Sequence, residues 1–391
     1  MRIAIFSDTF SPEINGVTRN LDRLVNYFSQ EGIEYIVFAP ESGQKTESLH
    51  ENKIIRMKSY NFVFYPELKI SLPNYLKVKK VIENLDVDLI HLVTPFNIGL
   101  LGLYYAKQND IPLTASYHTN FDQYLDYYNI NFIENLAWKY LRWFHNYAAI
   151  NFCPSQVTLE ELKERNFRNL DIWGRGIDTD LFSPDHRSKK FIEENALSEK
   201  ISILYVGRAA KEKNISLILE SLKKLNKKYK NKIELIITGD GPELDYLKKS
   251  APENVIFTGF KKGLELSKIY ASADIFAFSS LTETYGNVII EAMASGLPVV
   301  AVYAGGVKEN LIDKYNGLKC ENDDVDEFAS KLEKLILDDN FRKALSHNAR
   351  NYSLDKTWQS VLEKFVNKLY EVIEDNSDEF KENNSPKRDI I

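Results

Sequence analysis

Two carboxylates stand eight positions apart in the sequence, at Glu283 and Glu291. The apolar residues after Glu283 recur at helical spacing as far as Gly296, so Glu283 is expected in a loop and Glu291 about two turns into a helix. The start of a helix offers free N–H groups and partial positive charge, which suit a diphosphate. Carboxylates beside it accept hydrogen bonds from sugar hydroxyls. The pair therefore fits a nucleotide-sugar, with a solvated glutamate and an ordinary helical glutamate as the structural alternative.

The predicted helix begins in a run of small and polar residues. Thr282, Thr284 and Asn287 are the candidates for its capping residue. The free N–H groups of its first turn would face the anion. The candidate donor-binding residues at this helix start are Tyr285, Gly286, Asn287 and Val288.

A second candidate phosphate site follows the predicted strand 201–206. Gly207 allows the backbone to approach a ligand closely, and Arg208 and Lys213 place two cations after the same strand. The planar fork of an arginine holds two phosphate oxygens, while a lysine supplies a movable point charge. The alternative is a basic loop before a lysine-rich surface helix, which is the interpretation given to Lys211.

The chain resembles the retaining GT-B glycosyltransferases of glycosyltransferase family 4. The resemblance rests on the Glu-x7-Glu pair with its small-residue-Gly-x-Pro-Val turn, on residues 11–19 (SPEINGVTR), on residues 116–121 (SYHTNF) and on residues 283–288 (ETYGNV). These motifs occur in the family's order, and the similarity extends to about residue 374. Within the family, they resemble the branch of GDP-mannose-dependent α-mannosyltransferases and sulfoquinovosyl-diacylglycerol synthases.

The resemblance implies a role for each candidate residue on the donor side. Glu283 would contact hydroxyls of the donor sugar, and Glu291 would contact those of the ribose. Arg208, Lys213 and the helix start at 286–288 would neutralise the diphosphate. The loop Gly259-Phe260-Lys261 resembles the one whose backbone meets the nucleobase.

On the other side of the reaction, the resemblance implies that Gly16, in an Asn-Gly loop, lies beside the donor phosphate. It also implies that His118 binds the sugar near the reacting carbon and orients the acceptor. His118, Glu283, Arg208 and Lys213 are therefore the candidate catalytic residues. The family's favoured scheme is attack on the face that the diphosphate leaves, with the departing phosphate taking the proton.

The sequence Asp178-Thr179-Asp180 has the spelling of a metal-binding Asp-x-Asp motif. It lies in residues 176–182, which resemble the family's interdomain loop, so we interpret it as structural. Arg208, Lys213 and the helix start would do the work of a metal. No metal and no other cofactor is expected.

The length and composition of the chain limit the number of domains and the class of protein. A chain of 391 residues predicts two or three domains, and 44% hydrophobic with 27% charged residues is typical of a globular protein. A net charge of −6 and a pI near 5.7 give no electrostatic case for nucleic-acid binding. The apolar run after Met1 is too short for a signal peptide or a membrane span, and two distant cysteines, Cys153 and Cys320, indicate a reducing compartment. A cytoplasmic location is therefore expected.

Short β-branched runs alternate with amphipathic stretches, which predicts α/β units with parallel sheets. The resemblance implies the GT-B fold, with two doubly wound Rossmann-like domains facing across a cleft and a C-terminal helix that crosses back to the first domain. Residues 183–200 are predicted to be the linker between the halves. The predicted strands are 2–6, 35–39, 89–93, 113–117, 150–153, 201–206, 234–238, 255–258, 275–278 and 299–302. The predicted domains are an acceptor-binding domain (1–183), a nucleotide-sugar-binding domain (184–352), the crossover helix (353–375) and a disordered tail (376–391).

The acceptor is less clearly indicated. Residues 74–85 form a predicted amphipathic helix with Lys77, Lys79 and Lys80, which suits an anionic membrane surface or simply a solvated face. The nearby aromatic residues would line a groove for an acyl chain or sugar, or pack in the core. These aromatic residues are Phe62, Phe64, Tyr65, Phe121, Tyr124, Tyr127 and Tyr128.

The resulting prediction is a retaining, metal-independent hexosyltransferase that moves mannose from GDP-mannose to a lipid or lipid-linked glycan, peripheral on the inner face of the plasma membrane. The nearest alternative is a UDP-sugar-dependent transferase, for example a glucosyltransferase, with the same fold. A GT-B-fold sugar-nucleotide epimerase is a third possibility, and a non-catalytic nucleotide-sugar-binding protein is a fourth.

Overall fold

The computed structural model describes residues 1–13, 15–41, 50–62, 65–72, 74–118, 131–281, 283, 285–321 and 323–384. The chain divides into two compact units. The first comprises Met1–Gly174 together with Val361–Ile391, and the second comprises Arg175–Ser360.

The first unit is built on a seven-stranded parallel sheet with the order β3-β2-β1-β6-β7-β8-β9. A separate antiparallel hairpin, β4-β5, lies between β3 and the next helix in sequence. The strands are β1 (Arg2–Phe6), β2 (Glu34–Pro40), β3 (Ile54–Met57), β4 (Ser59–Phe62), β5 (Tyr65–Ser71), β6 (Leu89–Leu92), β7 (Leu113–Ser116), β8 (Ile150–Cys153) and β9 (Leu170–Ile172). The helices among the described residues are α1 (Gly16–Gln30), α2 (Tyr75–Leu85), α3 (Asn97–Gln108), α4 (Asn131–His145) and α5 (Gln156–Glu164).

The second unit has a six-stranded parallel sheet with the order β12-β11-β10-β13-β14-β15. Its strands are β10 (Ile201–Val206), β11 (Ile233–Thr238), β12 (Val255–Gly259), β13 (Ile275–Phe278), β14 (Val299–Val302) and β15 (Gly317–Cys320). Its helices are α6 (Lys189–Glu194), α7 (Ile215–Tyr229), α8 (Leu244–Ser250), α9 (Gly263–Ser272), α10 (Asn287–Ala294), α11 (Val325–Leu337) and α12 (Asp339–Leu354).

The last helix, α13 (Trp358–Asn384), begins in the second unit and continues into the first. Its Phe365 ring stacks on Trp173 at 4.3 Å between centroids and meets Phe152 at 4.5 Å. The prediction that the C-terminal helix returns to the first domain is therefore confirmed. The helix continues to Asn384, beyond the expected end at residue 375.

The predicted alternation of strands and helices is confirmed in both units. The segment 183–200 is not a linker, because it holds the short 3-10 turn Pro184–His186 and α6 within the second unit. Arg187 and Ser188 bond Ala271 O and Ser272 Oγ at the end of α9, at 3.2 and 3.0 Å. Ser183 and Ser188 cap the two short helical segments. The polar composition of residues 183–200 therefore reflects helix capping. None of the helices in the described ranges combines the length and apolar character needed to cross a membrane.

Within the first sheet, His91 is a fully buried polar residue on β6. Its two ring nitrogens lie 2.8 Å from Thr114 Oγ1 and 3.0 Å from Ser116 Oγ, both on the neighbouring strand β7. The ring edge of Phe365 covers it at 5.4 Å. Burial, with a smaller effect from His118, lowers the pKa of His91 to about 3. The side chain is therefore neutral in the folded protein at neutral pH, as expected of a packed histidine.

The low pKa of His91 predicts how the stability of the first unit varies with pH. Between about 3 and the ordinary value of 6.5, the unfolded chain carries a proton here that the folded chain does not. Stability is therefore complete above 6.5 and falls as the pH drops, by about 1.4 kcal/mol per pH unit for this residue. In His91→Gln, which does not titrate, we expect a slope shallower by that amount.

Urea unfolding at several pH values between 7.5 and 5 measures this slope. Tryptophan fluorescence reports mainly on the first unit, because three of the four tryptophans, Trp138, Trp143 and Trp173, belong to it. His347→Gln, at an exposed position on α12, is the matched control and should keep the wild-type slope. An unchanged slope in His91→Gln would contradict the assignment.

Candidate functional site

The candidate site of the second unit lies where the order of its strands reverses. The chain first adds strands on one side of β10 and then, from β13 onward, on the other. In open parallel sheets, ligands bind beyond the carboxyl ends of the strands at such a reversal. Gly207 and Arg208 follow β10 directly, and Glu283 lies in the loop after β13. Topology therefore brings together residues that the sequence separates by some seventy positions.

The loop after β10 is held by the loop after β11. Gly239 has a φ of +144°, and a Cβ there would lie 1.8 Å from the carbonyl oxygen of Gly207. Only glycine permits this contact. The N–H of Gly207 donates to Thr238 O at 3.0 Å, and the N–H of Ala209 donates to Asp240 O at 2.9 Å. The glycines of Gly239-Asp240-Gly241 thus support the loop that carries Arg208.

Arg208 is the open cation of the site. Its side chain is exposed, and the guanidinium makes no hydrogen bond or ion pair with any residue that the structure describes. The backbone beneath it is fixed, because the hydroxyl of Tyr205 donates to the carbonyl of Arg208 at 3.3 Å. A positioned backbone with an unpaired planar cation is suited to binding an anion.

Lys213 and Glu283 form an ion pair between the loops that follow β10 and β13. Lys213 ends the 3-10 turn Lys211–Lys213, and its ammonium bonds Glu283 Oε1. The side chains are only 19% and 20% exposed. Ser279 Oγ also donates to Lys213 O at 2.8 Å, so backbone and side chain are both tied to the β13 loop. The structure thus brings two of the predicted catalytic residues into contact.

Two glycines that the sequence analysis did not select hold Glu283 in place. The N–H of Gly306 donates to the carbonyl of Glu283. Gly305 has a φ of +49°, and a Cβ there would lie 2.5 Å from the same oxygen. Two consecutive glycines shortly after the predicted strand 299–302 were the available signal, since they indicate a close backbone approach at the carboxyl edge of the sheet.

The helix that follows, α10, begins without a side-chain cap among the described residues. Its N-cap is Gly286, in the left-handed conformation with φ 72°, and Asn287 is the first helical residue rather than a cap. Thr282 and Thr284, the other capping candidates, lie outside the described residues. The Ile289 N–H already donates to Gly286 O at 2.9 Å, so among the described residues the first-turn N–H groups that remain for an anion are those of Asn287 and Val288.

Tyr285 precedes the start of α10, and Val288 lies in its first turn. The Tyr285 side chain is 8% exposed, and its hydroxyl donates to Arg175 O at 2.9 Å. Val288 is half-buried against the core of the second unit. The side chain of Tyr285 thus fixes the backbone before Gly286.

Glu291 is partly buried and bonds a residue that the sequence analysis missed. The hydroxyl of the fully buried Tyr270 donates to Glu291 Oε2 at 3.0 Å. Burial raises the pKa of Glu291 to about 7, and the Tyr270 hydrogen bond opposes this only in part. The carboxyl group is poised to ionise near neutral pH. No sequence signal links Tyr270, on α9, to this site.

The loop after β12 follows the outermost strand on one side of the second sheet. Gly259 adopts the left-handed conformation with φ 70°, and the next side chain, Phe260, is 70% exposed.

The Asp-x-Asp sequence at Asp178 forms a turn. Asp178 Oδ1 accepts the N–H groups of Asp180 and Leu181 at 3.1 and 2.8 Å, which shapes a turn.

The remaining candidates belong to the first unit. His118 follows β7, and its ring meets Trp173 edge-on at 5.5 Å. Gly16 is the first residue of α1, and Asn15 caps this helix by accepting from Thr18 N at 2.9 Å. Asn15 itself is in the extended conformation. The aromatic candidates Phe64, Phe121, Tyr124, Tyr127 and Tyr128 lie outside the described residues.

Two Rossmann-like units, the second with cationic, glycine-containing loops at its strand reversal, are typical of the GT-B class of fold. Residues 14–181 match the family described as Glycosyltransferase Family 4. Residues 187–352 match the family described as Glycosyl transferases group 1. The chain belongs to the glycosyltransferase family that joins these two domains, and it is therefore a glycosyltransferase.

Relatives match along most of the chain. The GDP-mannose-dependent alpha-mannosyltransferase of Corynebacterium glutamicum is 30% identical over 377 residues, 95% of this chain and 89% of the relative. The alpha-monoglucosyldiacylglycerol synthase of Streptococcus pneumoniae is 29% identical over 335 residues, 81% of this chain and 74% of the relative. The structure of Anabaena HepE in complex with UDP has a TM-score of 0.68 at 20% identity, covering 95% of this chain and 100% of that one. The predicted fold class and family are thereby confirmed.

The raised pKa of Glu291 predicts a pH effect on the second unit. Between the ordinary value of 4.5 and about 7, the folded chain holds a proton here that the unfolded chain does not. The contribution to stability is therefore complete below 4.5 and is lost as the pH rises to about 7. Glu291→Gln removes this loss. As the pH rises from about 5 to 7, the free energy of unfolding of the variant should therefore increase by roughly 2–3 kcal/mol relative to that of wild type.

Hydrogen exchange of the β10 and β13 amides, corrected for intrinsic rates, reports this difference within the second unit. Glu193→Gln, at an exposed position on α6, serves as the control and should follow wild type at every pH. A constant difference between Glu291→Gln and wild type would show that the carboxyl group titrates normally.

Proposed function

We propose that this glycosyltransferase is a retaining, metal-independent hexosyltransferase that moves mannose from GDP-mannose to a lipid or lipid-linked glycan. The observation that carries the proposal is the arrangement at the strand reversal of the second unit. Arg208 is open there, Lys213 pairs with Glu283, and α10 begins without a side-chain cap. This combination suits a diphosphate bonded to a sugar.

The donor is proposed from the relatives. The name of the Corynebacterium relative specifies GDP-mannose and mannosyl transfer, and its similarity covers nearly the whole chain. The second candidate is glucosyl transfer from a UDP-sugar, which the name of the Streptococcus relative favours because it specifies a glucosyl product. Gly259-Phe260-Lys261 is our candidate for the nucleobase loop, with the exposed Phe260 ring available to a base.

Glu291 would accept hydrogen bonds from the ribose hydroxyls. Its carboxyl oxygen is already oriented by Tyr270, which leaves capacity for further donors. Gly207 and the α10 start at Gly286, Asn287 and Val288 would approach the diphosphate through their backbones. Tyr285 would act by holding that backbone.

Charge stabilisation of the departing diphosphate is the main catalytic task that we assign to this site. Arg208, Lys213 and the first turn of α10 would carry the charge that a metal ion carries in other transferases. Retention would follow from attack on the face that the diphosphate leaves. The acceptor oxygen bonds the anomeric carbon, the bond from that carbon to the phosphate oxygen breaks, and the acceptor proton passes to the departing phosphate.

Positioning would complete the mechanism. Glu283 would hold hydroxyls of the donor sugar, and His118 would hydrogen-bond the sugar and orient the acceptor. Gly16 would lie beside the donor phosphate. We propose the first domain as the acceptor-binding domain and the second as the nucleotide-sugar-binding domain.

The acceptor and location complete the proposal. The name of the Streptococcus relative specifies a diacylglycerol product, which supports a lipid acceptor. An enzyme that uses such an acceptor works at a membrane, and we propose a peripheral position on the inner face of the plasma membrane. Lys79 and Lys80 are exposed on α2, while Lys77 turns its ammonium toward Arg56 O at 2.9 Å. Lys79 and Lys80 are thus the outward cations of the predicted basic helix.

A thermal-shift series with GDP, UDP, GDP-mannose and UDP-glucose in EDTA tests the donor proposal, because a bound ligand raises the unfolding temperature. We expect GDP-mannose to give the largest shift. Arg208→Ala should weaken its affinity at least about tenfold, since a charge-assisted bond to phosphate contributes roughly 1.5–3 kcal/mol.

Lys211→Ala is the matched control, because Lys211 is an exposed cation in the same loop. The affinity of this variant for GDP-mannose should stay at the wild-type value. A larger shift with UDP-glucose would favour the second candidate. Binding that appears only after manganese is supplied would contradict the metal-independent scheme.

The membrane proposal predicts that Lys79 and Lys80 contribute about 1 kcal/mol each to binding of anionic vesicles. Replacing both by Ser should weaken vesicle binding roughly thirtyfold and leave donor affinity unchanged. Sedimentation with phosphatidylglycerol vesicles measures this, and wild-type binding should weaken with salt.

The matched control is Lys189→Ser with Lys190→Ser on α6. Lys79 lies 3.7 Å from Glu83, and Lys190 lies 3.7 Å from Glu194, so both variants remove two adjacent lysines and one similar ion pair. Equal losses in the two variants would indicate non-specific attraction. The membrane proposal would be contradicted if the wild-type protein did not bind the vesicles at low salt.

A further inference from the structure

The carboxyl group of Glu291 and the hydroxyl of Tyr270 are two titratable groups joined by a hydrogen bond in the second unit. Tyr270 is fully buried, and its ring meets Phe182 edge-on at 5.6 Å and Phe276 at 5.8 Å. Its hydroxyl donates to Glu291 Oε2 at 3.0 Å. Glu291 is partly buried, and its Oε1 makes no hydrogen bond with a residue that the structure describes. One carboxyl oxygen is therefore engaged by the protein, while the other keeps its full capacity to accept.

The hydroxyl of Tyr270 has a second acceptor within reach. The carbonyl oxygen of Val288, three residues before Glu291 on α10, lies 3.4 Å from Tyr270 Oη. A hydroxyl group has one hydrogen to donate and can also accept. It can therefore donate to an ionised Glu291, or accept from a protonated Glu291 and donate to Val288. The geometry accommodates the carboxyl group in either charge state.

The elements packed around Glu291 bring few charges. β13 and β14, which pack on α10, contain no titratable residue. α12 brings Arg350, whose guanidinium bonds Ala294 O at 2.6 Å, at the last residue of α10. Tyr205 on β10 is a further titratable group close to Tyr270. Burial is accordingly the main cause that raises the pKa of Glu291 to about 7, and the hydrogen bond from Tyr270 opposes it.

A ribose bound at Glu291 would favour the ionised state. The two ribose hydroxyl groups donate best to a carboxylate, which only accepts, whereas a protonated carboxyl group carries a hydrogen of its own. At neutral pH, a large fraction of the free protein holds a proton on Glu291. The bound ribose would displace this proton to the solvent, and the Tyr270 hydroxyl would then donate to the carboxylate that remains.

We infer that binding of the nucleotide-sugar releases a proton from Glu291, and that Tyr270 is the positioning residue that holds the resulting carboxylate for the ribose. The inference deepens the proposed function and rests on it in taking the ribose as the ligand of Glu291. It adds a pH dependence of donor affinity. Binding weakens as the pH falls, because a larger fraction of the carboxyl groups must lose a proton before they accept from the ribose.

Titration calorimetry with GDP-mannose, in EDTA and without an acceptor, counts the released protons when two buffers of different ionisation enthalpy are compared. The ligand suits this test because its diphosphate has no proton to lose near neutral pH. Wild type should release roughly 0.7 proton per ligand at about pH 6.5 and almost none at about pH 8.5. Its affinity should be about fourfold weaker at the lower of these pH values. Glu291→Gln should release no proton at either pH.

Tyr270→Phe removes only the hydroxyl group and so separates positioning from packing. Without this donor the carboxylate loses a charge-assisted hydrogen bond, so ionisation of Glu291 should require a higher pH. The variant should bind GDP-mannose roughly tenfold more weakly than wild type at about pH 6.5 and almost equally at about pH 9. Tyr229→Phe is the matched control, because Tyr229 on α7 donates to Glu333 Oε1 of α11 at 2.9 Å. This control should follow wild type at every pH.

Three results would overturn the inference. The first is GDP-mannose binding to wild type without proton release at about pH 6.5, which would leave the proposed function standing. The second is equal proton release in Glu291→Gln, which would place the proton on another group. The third is a loss of affinity in Tyr270→Phe that is the same at every pH, or that Tyr229→Phe shares, since either would indicate a purely structural role. UDP-glucose is titrated in the same way, and if neither ligand bound, the proposed function would fall together with the inference.

Discussion

The ion pair between Lys213 and Glu283 joins two loops that are seventy residues apart in sequence. It exists because the strand order of the second sheet reverses between β10 and β13, so that the loops after these strands meet. In the structure, the two charges neutralise each other, and the Arg208 guanidinium has no partner among the described residues. A diphosphate bound as proposed would compete with Glu283 for Lys213. Glu283 would then be released toward the sugar hydroxyls, so that one exchange of partners would prepare both the leaving group and the sugar.

The central strands of both sheets could be predicted almost residue by residue. β1, β8, β10, β13 and β14 have the predicted bounds, because buried parallel strands are short apolar runs that end abruptly. The strands that the sequence analysis missed are β3, β4, β5, β9 and β15. β3, β9 and β15 are sheet edges, where only one side is paired and the sequence is mixed, as in Leu-Asp-Ile of β9. The hairpin belongs to no large sheet, so the alternation of strands and helices did not predict it.

For the candidate site, local sequence predicted which residues stand at strand ends, but not their partners. Gly207, Arg208 and Glu283 could be placed because each directly follows a predicted strand or precedes a predicted helix. The bond between Glu291 and Tyr270 could not be foreseen, because it depends on how α9 packs beside α10. The same holds for Gly306 beneath Glu283. Long-range packing decides these contacts, and a single sequence carries little trace of it.

The first unit is completed by the last part of the chain. Leu362, Phe365, Val366, Leu369 and Val372 recur at helical spacing on α13 and are all buried with residues of β1, β2 and α1. Phe365 also covers His91, Phe152 and Trp173, which would otherwise lose an apolar contact. The first 174 residues therefore lack part of their own core until residues beyond 360 are present. Since the second unit lies between these two segments in the sequence, the first unit cannot close its core before the second has been synthesised, and the two units are linked in folding although each has its own sheet.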